Sequence, residues 1–254
     1  MKILYFDCFA GISGDMTLGA LVDVGVDPKY LKDELNKLSI SDEFEINIYK
    51  AQKMGITGTK VDVILKEHSH SDHHHEDHYH HHRNLIDIQE IIEKSDLGPK
   101  VKDLSNKIFM EVAIAEAKVH NKDINEVHFH EVGAVDSIVD IVGAAICIDK
   151  LGVDEIISST VEVGSGFVKC AHGVIPIPAP ATVEILQDVP IHLGGVDGEA
   201  ATPTGAAILK ANVDVFKDDI DFSINKIGYG VGTKDFDIPN LLRVYLGKKK
   251  LTNM

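Results

Sequence analysis

The segment Lys2-Ile3-Leu4-Tyr5-Phe6-Asp7-Cys8-Phe9-Ala10-Gly11-Ile12-Ser13-Gly14-Asp15-Met16 decides the fold. Ile3 to Phe9 is a short apolar run carrying Tyr and Phe, which reads as a buried strand. Gly11 to Asp15 is a Gly-rich turn, and a helix is expected from about Met16 to Val24. Strand, tight turn and helix form one unit, and the rest of the chain repeats its alternation. Asp27-Pro28 supplies an N-cap followed by Pro at the first helical position, and Tyr30, Leu31, Leu35 and Leu38 form the apolar face of a second helix. Phe44 to Tyr49 and Lys60 to Leu65 alternate apolar with polar residues, so they read as two strands joined by an irregular turn over Gly55 to Gly58.

Downstream, a helix is expected over Leu85 to Lys94. From Pro99, the apolar positions Val101, Leu104, Ile108, Val112, Ala115 and Val119 fall three and four apart, the face of a long amphipathic helix. Ile138 to Leu151 is apolar nearly all round and ends at Gly152, as a helix buried on most sides would. Short strands are expected at Ile156 to Val163, Phe222 to Ile227 and Leu242 to Leu246. Helix starts are expected at Pro180 and at Pro203, the latter capped by Thr202. Interleaved strands and helices give an α/β or α+β class with a mixed sheet. The expected organisation is an N-terminal strand-helix and sheet unit at 1–66, a mobile His-rich insertion at 67–83, and the main α/β core at 84–254. Gly58-Thr59-Lys60 recurs as Gly232-Thr233-Lys234, too short a repeat to establish duplication.

A chain of 254 residues with 44% hydrophobic content can bury a full core. Forty acidic against twenty-five basic residues leave a formal charge of -15, which disfavours nucleic acid and anionic lipid as partners and attracts metal cations. Asp7 interrupts the first apolar run too early for a signal peptide, and no stretch reaches membrane-spanning length, so the expected location is the cytoplasm. Cys8, Cys147 and Cys170 are widely spaced and read as small core residues rather than a disulfide or thiolate cluster.

The insertion carries His68, His70, His73, His74, His75, His78, His80, His81 and His82, nine of the fourteen histidines in fifteen residues. Neutral imidazole suits Ni, Zn and Cu, and no packed core could use nine in a row. An expression tag would sit at a terminus and be uniform. This tract is internal and interleaved with Ser, Asp and Glu, so it reads as a metal collector.

The densest cluster outside the tract is His128-Phe129-His130-Glu131, followed by Asp136 and Asp140. Two histidines at i, i+2 in an extended segment point the same way, and two aspartates at i, i+4 share one helix face, so the group can converge on a cation. Asp136 also fits as the helix N-cap, and His128 and His130 as satisfied core histidines. Asp140 inside so apolar a helix is costly unless paired, hydrogen-bonded or metal-bound. Ser13, Gly14 and Asp15 open one helix and Thr202, Thr204 and Gly205 another, so both helix starts are candidate anion sites. Neither a nucleotide P-loop nor a serine nucleophile elbow is complete at Gly11 to Asp15. His172-Gly173 through Pro180-Ala181-Thr182 either lines a pocket or turns a corner.

Together these segments resemble the LarC nickel-insertion family. The resemblance rests, in chain order, on Phe6 to Met16, Phe129 to Asp140, His172-Gly173 to Thr182, Thr202 to Ala206, Gly228 to Gly232 and Pro239-Asn240-Leu241-Leu242-Arg243, with a His-rich insertion at the corresponding place. It implies a nickel chelatase of the lyase class, which places Ni into pyridinium-3,5-bisthiocarboxylic acid mononucleotide to complete the nickel-pincer nucleotide cofactor of lactate racemase-type enzymes, with CTP consumed and Mg or Mn assisting. The implied partners are the nucleotide precursor, a C-terminal LarC domain or subunit to which CTP binding is attributed, and the racemase apoenzyme, with homo-oligomerisation left open. Because the chain stops at Met254, soon after Arg243, it is expected to correspond to the family's N-terminal portion. The alternatives from the residues themselves are a nickel or zinc storage protein and a zinc hydrolase built on His128, His130 and Asp136.

If residues 68–82 collect nickel, deleting them leaves the fold intact and removes most of the Ni stoichiometry. Binding by the parent weakens as pH falls through the imidazole pKa near ~6.5. Calorimetric titration with Ni at two pH values measures both effects, and an unchanged stoichiometry in the deletion moves the metal site elsewhere.

Overall fold

A computed structural model of the chain describes residues 1–66, 83–127, 129, 134–170 and 173–249. The first half contains β1 (Lys2–Asp7), α1 (Gly14–Asp23), α2 (Pro28–Leu35), β2 (Phe44–Lys53), β3 (Ile56–Leu65), α3 (Leu85–Glu93), α4 (Pro99–His120) and α5 (Val135–Leu151). The second half adds β4 (Glu155–Ser158), β5 (Val161–Ser165), β6 (Phe167–Cys170), β7 (Gly173–Pro176), α6 (Pro180–Ile185), β8 (Ile191–Leu193), β9 (Gly198–Glu199), α7 (Pro203–Asn212), β10 (Val215–Phe216), β11 (Ser223–Val231) and β12 (Leu241–Lys248).

Strand β1 is central because both of its faces are apolar. Leu4 and Phe6 enter the main core under the helices, while Ile3 and Tyr5 join Ile157 and Tyr245 on the opposite face. Around it forms a seven-stranded sheet of order β10-β4-β1-β12-β11-β3-β2. β1 is parallel to β4 and antiparallel to β12, β11 is antiparallel to β12, and β3 meets β11 in parallel through Gly230 and Thr59. The mixed α/β class expected from the sequence is therefore the observed one. Residues 1–66 contribute β1, β2 and β3 to this sheet, and the remaining four strands come from beyond residue 150.

The helix caps follow the sequence. Ser13 accepts the Met16 N–H, Asp27 accepts the Lys29 N–H, and Thr202 accepts the Gly205 N–H, with Pro at the start of the second and third helices concerned. Helix α5 is buried on most sides and ends at Gly152 with φ +56°, a left-handed position that glycine adopts without steric cost.

Helix α1 packs on β3 and β11 at backbone distance. A side-chain carbon on Gly230 would overlap the Met16 carbonyl, and one on Gly19 would overlap the Thr59 carbonyl. Glycine on both elements brings the start of α1 down onto the sheet, beside the ends of β3 and β11.

The structure corrects four expectations. The β2–β3 turn is the two residues Met54 and Gly55, both at positive φ, and Gly58 lies within β3. A two-residue hairpin turn demands left-handed backbone, and Met54 concealed it. Ile156 to Val163 is two strands in different sheets, because the chain leaves the large sheet after Ser158, and the Ser159 hydroxyl accepts the Cys8 N–H at 2.9 Å. Val119 is 37% exposed, so the apolar face of α4 ends before the helix does. The N-cap of α5 is Ala134 without a side-chain hydrogen bond, and Asp136 sits in the first turn, accepting the Ser137 N–H at 2.8 Å.

Gly230→Ala is expected to destabilise the fold by about 2 kcal/mol, because the added carbon meets helix backbone rather than a side chain that can move. A urea midpoint equal to the parent's would show that α1 can lift from the sheet at no cost.

Candidate functional site

The N-termini of α1 and α7 are locked side by side. Ile12 forms a parallel bridge with Ala201, in which the Ile12 N–H donates to the Ala200 carbonyl and the Thr202 N–H donates to the Ile12 carbonyl, both at 3.0 Å. Gly205 permits this approach, since a side chain there would strike the Ile12 carbonyl. The two N-caps, Ser13 and Thr202, are thereby delivered to one place.

The start of α5 joins them. Asp140 lies against Gly14, where any side chain would collide with its carboxylate. Three helix N-termini thus open onto one cavity of about 460 Å³, lined by Ser13, Gly14 and Asp15 from α1, Asp136, Ser137 and Asp140 from α5, and Thr202, Pro203 and Thr204 from α7. Free amide donors and the positive end of each helix dipole favour an anion there.

Strand ends complete the wall with Lys60, Asp62, Glu199, Thr233, Lys234 and Asn240. The Lys60 side chain is 9% exposed; its ammonium bonds Asp15, donates to the Thr233 hydroxyl at 2.8 Å and lies 3.6 Å from Asp62. Lys234 pairs with Glu199 at 2.7 Å. Among the described residues, five carboxylates face two lysines in this cavity, so its net character is acidic even though both lysines are present.

Asp140 is the exceptional member. Its Oδ1 is buried with no hydrogen-bond partner among the described residues. Burial, reinforced by the charges of Asp15 and Asp136, pushes its pKa well above the usual carboxylate value, with Lys60 opposing. Burial thus disfavours the charged form of this carboxylate unless a cation or donor compensates it.

Of the site residues expected from the sequence, Ser13, Gly14, Asp15, Asp136, Asp140, Thr202 and Thr204 line this one cavity, and the Gly205 N–H donates to the Thr202 hydroxyl beneath it. His128, His130, Glu131, His172 and the histidines of 68–82 lie outside the described residues. Sequence reasoning missed Lys60, Asp62, Glu199, Thr233, Lys234 and Asn240. A signal existed in the paired Gly-Thr-Lys triplets, because Gly58-Thr59-Lys60 and Gly232-Thr233-Lys234 each deliver a lysine to the cavity from neighbouring strands. Cys8 and Cys147 are buried, as expected of core residues, and burial raises the Cys8 thiol to about 12. Among the described residues, no group of three or more His, Cys, Asp and Glu side chains could hold a metal ion, and no helix is long and apolar enough to cross a membrane.

Such a cavity suits a small ligand that carries an anionic group and is handled together with a cation. The family model described as nickel insertion protein matches residues 4–254, and the chain belongs to that family. It is 60% identical to the pyridinium-3,5-bisthiocarboxylic acid mononucleotide nickel insertion protein of Clostridium acetobutylicum, over 98% of this chain and 65% of that protein. It is 61% identical to the protein of the same description from Clostridium kluyveri, over 98% of this chain and 63% of the relative. The corresponding values for the Desulfitobacterium hafniense protein are 50%, 98% and 59%. The chain therefore spans somewhat less than two thirds of the length of these relatives. No solved structure matches it.

The raised pKa of Asp140 has a sign that denaturation can read. Between the usual carboxylate pKa and its own, the folded state holds a proton that the unfolded chain has lost, so stability falls as pH rises through that window. Asp140→Asn removes this loss. In metal-free buffer the variant is expected to gain on the parent between pH 4 and pH 8, as measured by urea midpoints. A pH-independent difference would mean that Asp140 is solvated or paired.

Proposed function

We propose that the chain inserts nickel into pyridinium-3,5-bisthiocarboxylic acid mononucleotide, completing the nickel-pincer nucleotide cofactor of lactate racemase-type enzymes. The observation that carries this reading is the buried Asp140 carboxylate, one oxygen of which has no partner among the described residues, in a cavity whose other wall is built from helix N-termini. One site then offers a place for a cation and a place for the phosphate of a mononucleotide.

In this reading the histidines of 68–82 gather nickel and pass it to Asp136 and Asp140, with His128, His130 and Glu131 completing the cluster. The phosphate takes the amide donors at Ser13, Gly14, Asp15 and Thr204 and the Thr202 hydroxyl, which the Gly205 N–H holds in place, with Lys60 beside them; His172 belongs to the same precursor site. Carboxylate oxygen is a poor final partner for nickel compared with sulfur. Transfer from Asp136 and Asp140 to the two thiocarboxylates therefore runs downhill, while the helix N-termini hold the acceptor in register. Arrival of the divalent ion favours the ionised form of Asp140, so loading releases a proton.

CTP and its Mg or Mn come into this reading from the family resemblance alone. We place CTP use on a C-terminal LarC domain or subunit, which with the racemase apoenzyme makes up the set of protein partners, in the cytoplasm.

His130→Ala and Asp140→Asn are each expected to lower activation of lactate racemase at least tenfold while the variants stay folded, measured with the relatives' C-terminal portion and CTP supplied. Residues 1–254 alone should bind Ni without hydrolysing CTP. Full activation by both folded variants would remove the cluster from the reaction, and metal-dependent CTP hydrolysis by the chain alone would move the triphosphate to the N-termini of α1 and α7.

A further inference from the structure

Asn240 belongs to the Pro239 to Arg243 segment, to which the proposed nickel transfer gives no role. Its side chain is buried, the residue being 4% exposed, and it lines the same cavity as Asp140. The amide is held from two sides. Its Nδ2 donates to the Lys234 carbonyl at 2.8 Å, and Gly232 lies so close behind that a side chain there would press into the amide group. The Gly232 N–H also donates to the Asn240 carbonyl at 3.0 Å, closing the loop between β11 and β12.

These contacts fix the orientation of the amide, because turning it over would set its oxygen against the Lys234 carbonyl oxygen. The remaining polar group of this cavity-lining side chain is Oδ1, a neutral acceptor, buried and without a hydrogen-bond partner among the described residues. A buried acceptor in that state calls for a donor.

The donor inventory of the precursor narrows the choice. Its pyridinium nitrogen carries the ribose and no hydrogen. Its thiocarboxylates are acceptors, and its phosphate is mostly so at neutral pH. The remaining donors are the ribose hydroxyls. Charge separates the two unpaired acceptors of the cavity: the Asp140 carboxylate suits the metal ion, and the neutral Asn240 amide suits a neutral hydroxyl.

We infer that Asn240 is the ribose-recognising residue of this site, its Oδ1 accepting a hydrogen bond from a ribose hydroxyl of a pyridinium mononucleotide. This rests on the precursor-binding proposal and adds to it a reason for selecting the nucleotide over the free pyridine. The loop that carries Lys234 then sets the sugar's position directly, because the Lys234 carbonyl orients the amide.

The test is calorimetric titration of the full chain with pyridinium-3,5-dicarboxylate mononucleotide, the all-oxygen analogue, and with its 2′-deoxy and 3′-deoxy forms. One deoxy form should bind wild type about tenfold more weakly, the usual scale for stranding a buried acceptor. Asn240→Ala should weaken the parent nucleotide comparably and bind that deoxy form with no further loss. Equal binding of all three ligands by wild type would overturn the role of Asn240 while leaving the nucleotide reading intact. Discrimination that persists in Asn240→Ala would assign the hydroxyl to another residue. Failure of wild type to bind any of the three, with nickel binding retained, would overturn the precursor reading itself. If the alanine variant does not fold, Asn240→Ser carries the same comparison, and equal binding of the series by wild type overturns the role without any variant.

Discussion

Everything at the candidate site depends on helix α1 lying on the sheet with no side chains between them. Gly19 on the helix and Gly228 and Gly230 on β11 are the positions that allow it, and each would meet backbone atoms if it carried a side chain. The usual helix-to-sheet spacing would lift Ser13, Gly14 and Asp15 away from Lys60 and Thr233. At backbone distance, the Lys60 ammonium reaches Asp15 and the Thr233 hydroxyl together. Gly14 then receives Asp140 from α5, and Ile12 receives the Ala201 backbone that leads into α7. Close packing is thus what gathers charged groups from separate helices and strands into one wall.

A second constraint closes the sheet beneath them. Asp7 ends β1 opposite Arg243 on β12, with the guanidinium Nε at 2.7 Å and the Tyr245 hydroxyl at 3.2 Å from the same carboxylate oxygen. The ion pair is partly buried and forked, a geometry that fixes register better than it adds net stability. It ties the Gly-rich turn after β1 to the strand that follows Asn240. The loops that lead to Ser13 and from Asn240, both of the cavity wall, are thereby anchored on the same pair of strands.

How much of this was legible in the sequence depended on whether the signal was local. The caps Asp27 and Thr202, the long face of α4 and the all-round apolar α5 were legible, because each is a short-range pattern of residue type against helical period. The Met54–Gly55 turn was not, since a Met at φ +47° carries no composition signal. Nor was the parting of β4 from β5, which a hydroxyl contact with Cys8 decides across more than 150 residues of separation. At the site, the acidic and hydroxyl members at the helix N-termini were foreseen, while Lys60, Lys234 and Asn240 were not. Each of those lies on or beside a strand, and only pairing between distant strands brings it to the helices.

The charge pattern of the cavity bears on how a metal-inserting site should be built. If the cavity is the proposed insertion site, it must hold nickel less tightly than the sulfur ligand it loads. Here the described wall offers oxygen, most of it already engaged: Asp15 with Lys60, Glu199 with Lys234, Asp136 with the Ser137 amide. Among the described carboxylates of this wall, only Asp140 has an oxygen both buried and unpaired. In the proposed transfer this carboxylate would share the ion with Asp136, His128, His130 and Glu131, and burial, which disfavours its charged form, favours release to softer donors. The strong ligands of the chain are concentrated instead in the tract at 68–82, away in sequence from every residue of the cavity wall except Lys60 and its strand neighbours. In the proposed reading, separating capture in the tract from presentation in the cavity would let one polypeptide do both without the first opposing the second.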